Sequence, residues 1–406
     1  MSFVPTPSGS LAPFDKTPRT RLVFGCGVVA RLGSLSRELG ATRVLLVTDR
    51  GIVAAGHVAR AVESLRSEGL DVTVYDAVRE NPTTTDVARC LEVARDAEVD
   101  LFIGLGGGSS MDTAKGTNFL LTNGGEMKDY WGVGKASRPM LPLIAVPTTS
   151  GTGSECQSAA LIADEQTHQK MACLDPKAAA RVALLDPELT VSQPQRVTSV
   201  TGVDALAHAV ETAVTTSRDS MSLMYSHQAF QRLIRALPRV LDDPKDLDAR
   251  GEMLLGAAFA GTAIEYSMLG AAHSAANPLT AHFNVVHGAA VGLMLPHVIR
   301  FNASGDAATR RAYAELASAA EMARVQDGVD RAVDSLIPRI EEVLNRAGIP
   351  GSLEDAGVVV ARIPELANEA AQQWTARFNP RVCGVAEFEA IYSAARNPRP
   401  GSGSRS

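Results

Sequence analysis

The chain has no surplus of positive charge: its 406 residues sum to a formal net charge of −6. Proteins that hold nucleic acid usually present a basic patch or stripe, so nucleic acid is excluded as a partner. No stretch reaches the roughly 18 uninterrupted apolar residues that a membrane span requires. The N-terminal MSFVPTPSGSLAPFDKTPRT also lacks a basic segment leading into an apolar run. The expectation is therefore a cytoplasmic protein with no membrane partner. Cysteine is scarce as well: Cys26, Cys90, Cys156, Cys173 and Cys383 are odd in number and scattered, with no CxxC pair. That excludes a disulfide framework and a thiolate zinc site, and leaves small buried apolar side chains. No internal repeat is present.

What remains is an ordinary globular composition, 45% hydrophobic and 21% charged, in a chain long enough for two domains. The first 20 residues and the last ten, 397–406, are rich in Pro, Gly and Ser and are expected to be flexible. Over 21–192, short apolar runs alternate with helical patterns. TRVLLVTD precedes HVARAVESLRSEG, DVTVYD precedes TTDVARCLEVARDAE, and VDLFIGLGGG precedes SMDTAKGTNFLLT, with PLIAVPTT after them. Strand and helix in turn predict an α/β domain with a mainly parallel sheet. From 193 to 396 the β-branched runs give way to long Ala-rich helical patterns such as VDALAHAVETAV, which predict an all-α domain. Pro187 and Pro194, in LLDPELTVSQPQ, interrupt both periods and mark the link.

Two glycine stretches follow predicted strands. In VDLFIGLGGGSSMDTAK, three glycines lead into a helix that opens at Ser109 or Ser110. Residues without Cβ let backbone approach a phosphate, and a helix N-terminus offers unpaired N–H groups. Lys115, one or two turns inside, reads equally as a solvated surface lysine. The second stretch, PTTSGTGSE from Pro147 to Glu155, offers hydroxyls and backbone N–H groups to a polar ligand or forms a plain loop. A weaker pattern, GCGVVA at Gly25 to Ala30, fits G-x-G-x-x-A after LVF. In either case Asp49 ends VLLVTD, where its carboxylate would accept hydrogen bonds from a ribose and repel a 2′-phosphate. That favours NAD over NADP.

The helical half carries a second constellation. Asp204 and His208 in GVDALAHAVE are four apart and lie on one helix face. LGAAHSAANPLTAHFNVVHG adds His273 and His287 among small residues. One carboxylate and three imidazoles suit Fe²⁺ or Zn²⁺. His57, His168, His227 and His297 stand in no such context and read as structural.

With these motifs in their order, the chain resembles the iron-containing (group III) alcohol dehydrogenases, whose fold is shared with dehydroquinate synthase and glycerol dehydrogenase. The resemblance runs from FGCG to FNPR and rests on GGGSSMDTAK, PTTSGTGSE, GVDALAHAVE and the His273–His287 stretch continuing into GLMLPH. It implies a dehydroquinate synthase-like fold, NAD and iron as cofactors, and a homodimer. Gly106, Gly107, Gly108 and Ser109 would hold the pyrophosphate, with Thr148 and Thr149 against the adenosine side. Asp49 would face the ribose, Asp112 is the acidic position of the glycine motif, and Lys170 is a basic position near the nicotinamide. Asp204, His208, His273 and His287 would be the metal ligands and catalytic centre. Many relatives place a proton-relay His four residues after the third ligand, where this chain has Asn277. Asn does not titrate near neutral pH, so His282 is the other candidate for the relay.

The implied activity is reversible hydride transfer between the nicotinamide and a small alcohol, diol or aldehyde. A dehydroquinate synthase-like lyase would need a strongly basic pocket, whereas AFAGTAIEYSMLGAAHSAANPLT is apolar and small. A non-catalytic binding protein would have no reason to keep all four ligands.

Overall fold

The structure is a computed structural model that describes residues 14–167 and 169–402. Residues 1–13, His168 and residues 403–406 lie outside that description, along with what the sequence suggests for them. The chain divides into two compact units, Lys16–Gln193 and a second that begins at Pro194 and also takes in Phe14 and Asp15.

The first unit is built on a six-stranded parallel sheet of β1 (Arg21–Phe24), β2 (Arg43–Val47), β3 (Asp71–Tyr75), β4 (Leu101–Gly106), β6 (Leu143–Pro147) and β9 (Val182–Leu185). A smaller sheet joins β5 (Gly132–Val133), β7 (Ala159–Ala163) and β8 (Lys170–Leu174). Helices α1 (Leu32–Glu38), α2 (Arg50–Ala54), α3 (His57–Ser67), α4 (Thr84–Asp96) and α5 (Gly108–Asn123) connect the strands. Every residue of β4, β6 and β9 is buried, which is why these strands read as unbroken apolar runs instead of alternating ones. The large sheet runs β1-β9-β6-β4-β2-β3. From β2 the chain moves outward to β3 and then returns to β4 on the other side of β2. The crevice at the carboxyl ends of β2 and β4 is therefore a topological switch point, where open α/β sheets take their ligands.

The second unit is helical: α6 (Gln195–Thr212), α7 (Ser220–Asp242), α8 (Leu247–Tyr266), α9 (Ala271–Phe283), α10 (His287–Ala303), α11 (Ala307–Ala319), α12 (Val329–Arg346), α13 (Ile363–Gln372) and α14 (Val385–Ala394). Helix α6 is buried nearly all round, packed by α7, α8 and α10. Its alanines and Gly202, with Gly292 of α10, allow that enclosure. A Cβ at Gly202 would come within 2.7 Å of Leu237 and 2.9 Å of Met253, and one at Gly292 within 2.5 Å of Val203. Pro278 sits inside α9 without ending it. No single helix among the described residues is long and apolar enough to cross a membrane.

The weaker glycine pattern, GCGVVA, is no phosphate loop, in keeping with the better site after β4: it follows the edge strand β1, and the N–H groups of Gly27 and Val29 donate to the carboxylate of Asp186 at 3.1 Å each. One expectation changes. The C-terminal segment is not loose throughout. Arg399 is buried, its Nη2 donates to Ile349 O at 2.8 Å, and its backbone N–H donates to Gly351 O. A long apolar stem with carbonyls to cap its guanidinium gives this residue enough contact to hold a Pro- and Gly-rich stretch in place.

The tightest helix contact is between α10 and α6, where a Cβ at Gly288 would lie 2.0 Å from Val200 O and 3.3 Å from Asp204 Cβ. Gly288→Ala is expected to destabilise the protein by about 1–3 kcal/mol through overpacking. A denaturation midpoint equal to that of the parent would show that the two helices can separate freely.

Candidate metal centre and nucleotide cradle

In the helical unit, α6 brings Asp204 and His208 to one face, the first turn of α9 brings His273, and the first residue of α10 is His287. Asp204 Oδ1 lies 3.5 Å from His208 Nε2, 3.4 Å from His273 Nε2 and 3.8 Å from His287 Nε2. Ligand atoms of Asp204, His208 and His273, all buried, lie within 4.8 Å of one another. The His287 side chain, 40% exposed, stands beside that group with its Nε2 toward Asp204 Oδ1. Asp204 Oδ1 and His273 Nε2 are buried yet make no hydrogen bond. Buried polar atoms are rarely left so, and a cation between them is the natural completion. The donor set of one carboxylate and three imidazoles fits a divalent first-row ion.

The electrostatics agree. Burial works against ionisation of Asp204, but His208, His273 and His287 outweigh it and hold the carboxyl well below the usual carboxylate range. Burial likewise opposes a charge on His273, yet Glu211 and Asp204 raise its pKa to about 10. Glu211 is buried and reaches His273 Nδ1 with Oε2, while its Oε1 accepts the N–H of Ala272 at 2.7 Å. Sequence reasoning passed over Glu211, although the signal was present: Asp204, His208 and Glu211 fall at i, i+4 and i+7 of one helix face.

The two relay candidates are separated. Asn277, one turn beyond His273 on α9, donates through Nδ2 to Gln373 Oε1 at 3.0 Å. His282 is nine residues from His273, about 13 Å along the helix and on the opposite face. There its Nε2 meets Glu369 at 2.8 Å and its Nδ1 meets Arg362 Nη2 at 3.1 Å. It thus belongs to a partly exposed ion-pair cluster with Glu369, Arg362 and Glu365 instead of the metal group. Of the remaining histidines, burial lowers the pKa of His57, His227 and His297, as suits neutral structural side chains.

In the α/β unit the two glycine stretches meet at the switch point. Thr149 Cγ2 lies 3.5 Å from where a Gly107 Cβ would be, and Thr152 Cγ2 2.9 Å from a Gly108 Cβ. Helix α5 opens at Gly107 with no side-chain cap, leaving its first N–H groups to the loop. Thr148 is buried, and its backbone N–H donates to Gly106 O at 2.9 Å. Ser109 Oγ accepts the N–H of Asn81, so the loop after β3 also reaches this site. Asp49 caps α2, its Oδ1 accepting from Gly51 and Ile52, while its Oδ2 lies 3.6 Å from where a Gly106 Cβ would be. Ser110 Oγ and Ser150 Oγ are buried without hydrogen bonds, which fits a polar ligand lodged between the loops.

Lys115 is not a surface lysine. It is fully buried, and its Nζ donates to Ser154 O at 2.7 Å, Ser154 Oγ at 2.9 Å, Gln157 O at 2.8 Å and Ala159 O at 3.0 Å. It ties α5 to the second glycine stretch. Asp112 is within hydrogen-bonding reach of Ser154, and burial raises its pKa to about 6 against the opposing charges of Lys115 and Lys170. Lys170 itself opens β8 and is exposed.

An open parallel sheet with a glycine cradle at its switch point, in one chain with a helical unit carrying a carboxylate–histidine metal set, defines a nucleotide- and metal-dependent enzyme class. The comparisons name it. The family model for iron-containing alcohol dehydrogenase matches residues 18–187, and that for the Fe-containing alcohol dehydrogenase C-terminal region matches 198–396. The chain is 32% identical over 375 residues to the NAD-dependent methanol dehydrogenase of Bacillus methanolicus, covering 92% of this chain and 97% of that enzyme. It is equally 32% identical, over 374 residues, to the lactaldehyde reductase of Escherichia coli K12, again covering 92% and 97%. A crystal structure of a 1,3-propanediol oxidoreductase superposes with a TM-score of 0.90 at 30% identity, covering 95% of this chain and all of that one. The chain belongs to the iron-containing alcohol dehydrogenase family.

Glu155 provides a pH test of the cradle. Burial raises its pKa from 4.5 to about 7, with Lys115 opposing, and its Oε1 has no hydrogen-bond partner. An acid whose folded pKa is raised binds more protons folded than unfolded between about 4.5 and 7, so stability is lost as pH rises through that window. The metal- and cofactor-free protein should lose less thermal stability between about pH 5 and 8 as Glu155→Gln than as the parent. Identical losses in the two proteins would place the Glu155 carboxyl in contact with solvent.

Proposed function

We propose that the chain is a metal-dependent, NAD-linked alcohol dehydrogenase that also works as an aldehyde reductase, acting on a small alcohol, diol or aldehyde. The observation that carries the reading is the buried Asp204 Oδ1 facing three imidazole nitrogens. In this reading Asp204, His208, His273 and His287 hold one divalent ion, with iron as the family's metal and zinc an alternative the donor set accepts. When bound, that ion supplies Lewis acidity at the substrate oxygen, and NAD supplies the hydride acceptor.

The chain's own residues do the rest. Gly106, Gly107, Gly108 and Ser109 present backbone N–H groups to the pyrophosphate, aided by the open start of α5. Thr148 and Thr149 line the adenosine side, and Asp49 takes the ribose hydroxyls while repelling a 2′-phosphate. Asp112 is the acidic position of the glycine motif, and Lys170 is a basic position near the nicotinamide. Asn277 orients through its amide and cannot itself accept a proton near neutral pH, so proton transfer passes through water or another group. We take the working form to be a cytoplasmic homodimer with no nucleic-acid or membrane partner, supported by the resemblance and by the net charge of −6.

Removing one ligand tests the metal reading. His273→Ala or His287→Ala should abolish most metal binding and turnover while NAD affinity stays nearly intact, because the nucleotide cradle is built in the other unit. Metal content and turnover equal to the parent's would sink the ligand assignment. The cofactor reading has its own test in Asp49→Gly, which should raise kcat/KM with NADPH relative to NADH. An unchanged ratio would move Asp49 away from the ribose.

A further inference from the structure

We propose that Glu211 is a positioning residue for the metal: it fixes the orientation and tautomer of His273 so that Nε2 is presented, unprotonated, to the ion. The inference rests on the metal reading above and concerns a residue outside the ligand set.

Glu211 is buried and bridges two elements. Its Oε1 accepts the N–H of Ala272 at 2.7 Å, and its Oε2 lies in hydrogen-bond contact with His273 Nδ1. Gly270, the residue before α9, leaves room for the bridge: a Cβ there would stand 3.2 Å from Glu211 Oε1 and 3.1 Å from Asn379 Oδ1. With Nδ1 engaged by a carboxylate, which can only accept, the proton of a neutral His273 sits on Nδ1. The lone pair is then left on Nε2, the atom that faces Asp204 Oδ1 at 3.4 Å. Charge balance points the same way. The carboxylates of Asp204 and Glu211 are the negative charges in contact with His273, and together they neutralise a divalent ion in a site where unpaired charge is costly.

A purely structural account would make Glu211 only the cap of α9, supplying an acceptor to the N–H of Ala272. Glu211→Gln separates the two roles. The glutamine oxygen can still cap Ala272, but its NH₂ then faces His273 Nδ1. Donation from that NH₂ favours the tautomer protonated on Nε2, the wrong one for an ion. Zinc affinity, measured by competition with a chelator, should fall by roughly ten- to a hundredfold in Glu211→Gln, while NADH affinity stays near the parent's and the variant remains folded. Parent-like zinc affinity in a folded Glu211→Gln protein overturns the proposal. The zinc-loaded parent gives a second measurement that needs no variant. Nitrogen chemical shifts of ¹⁵N-labelled histidine should show His273 metallated at Nε2 and protonated at Nδ1, and metallation at Nδ1 overturns the proposal equally. Failure of the parent to take up zinc at these histidines would instead overturn the metal reading on which the proposal rests.

Discussion

Asp204 Oδ1 stands within 3.8 Å of a ring nitrogen on each of three histidines, two of them buried with it, and three helices of the helical unit meet at that point. Holding a carboxylate there is costly unless positive charge faces it. The imidazoles supply that charge when protonated, and a divalent ion would replace their protons. The three elements involved have little freedom. Asp204 and His208 ride on one helix face, His273 stands in the first turn of α9, and His287 is the first residue of α10. The turn between α9 and α10 passes through Asn284 in the left-handed region at φ 54°, which Asn tolerates better than most residues. The absence of a Cβ at Gly288 lets α10 lie against the backbone of α6.

Much of this could be read from the chain before any coordinates. The spacing of Asp204 and His208 is a statement about a helix face, and the alternation of apolar runs with helical patterns is a statement about a parallel sheet. GCGVVA satisfied a local pattern but ranked below the glycine stretch after β4, and its N–H groups belong to Asp186, some 157 residues away in the case of Val29. Where the reading left alternatives open, the missing information was contact at long range. Lys115 looked like any helix lysine, because the four acceptors that bury it come from a loop about 40 residues further on. His282 and Asn277 are the reverse case. Their five-residue separation already places them on different faces, and the structure adds only the partners, Glu369 with Arg362 for one and Gln373 for the other.

The two candidate sites are made of different material, and that difference governs how each can change. The candidate metal set is made of side chains: four donors on three helices, with Glu211 behind one of them. Loss of any one leaves a buried charge or a buried ring without its partner, so such a site tolerates little substitution. The nucleotide cradle is made chiefly of backbone, with N–H groups at the start of α5 and glycines that keep the approach clear. Side chains around it can vary as long as no atom enters the cleared space. Gly106 and Gly108 cannot, because a Cβ at Gly106 would fall 2.4 Å from Ser110 Oγ and one at Gly108 2.9 Å from Thr152. Gly106 also has φ 148°, a conformation that side-chain-bearing residues rarely adopt. A sequence of this kind therefore shows its candidate nucleotide site as a run of missing side chains and its candidate metal site as a set of present ones. Both signals are legible in the chain without reference to where the two units lie.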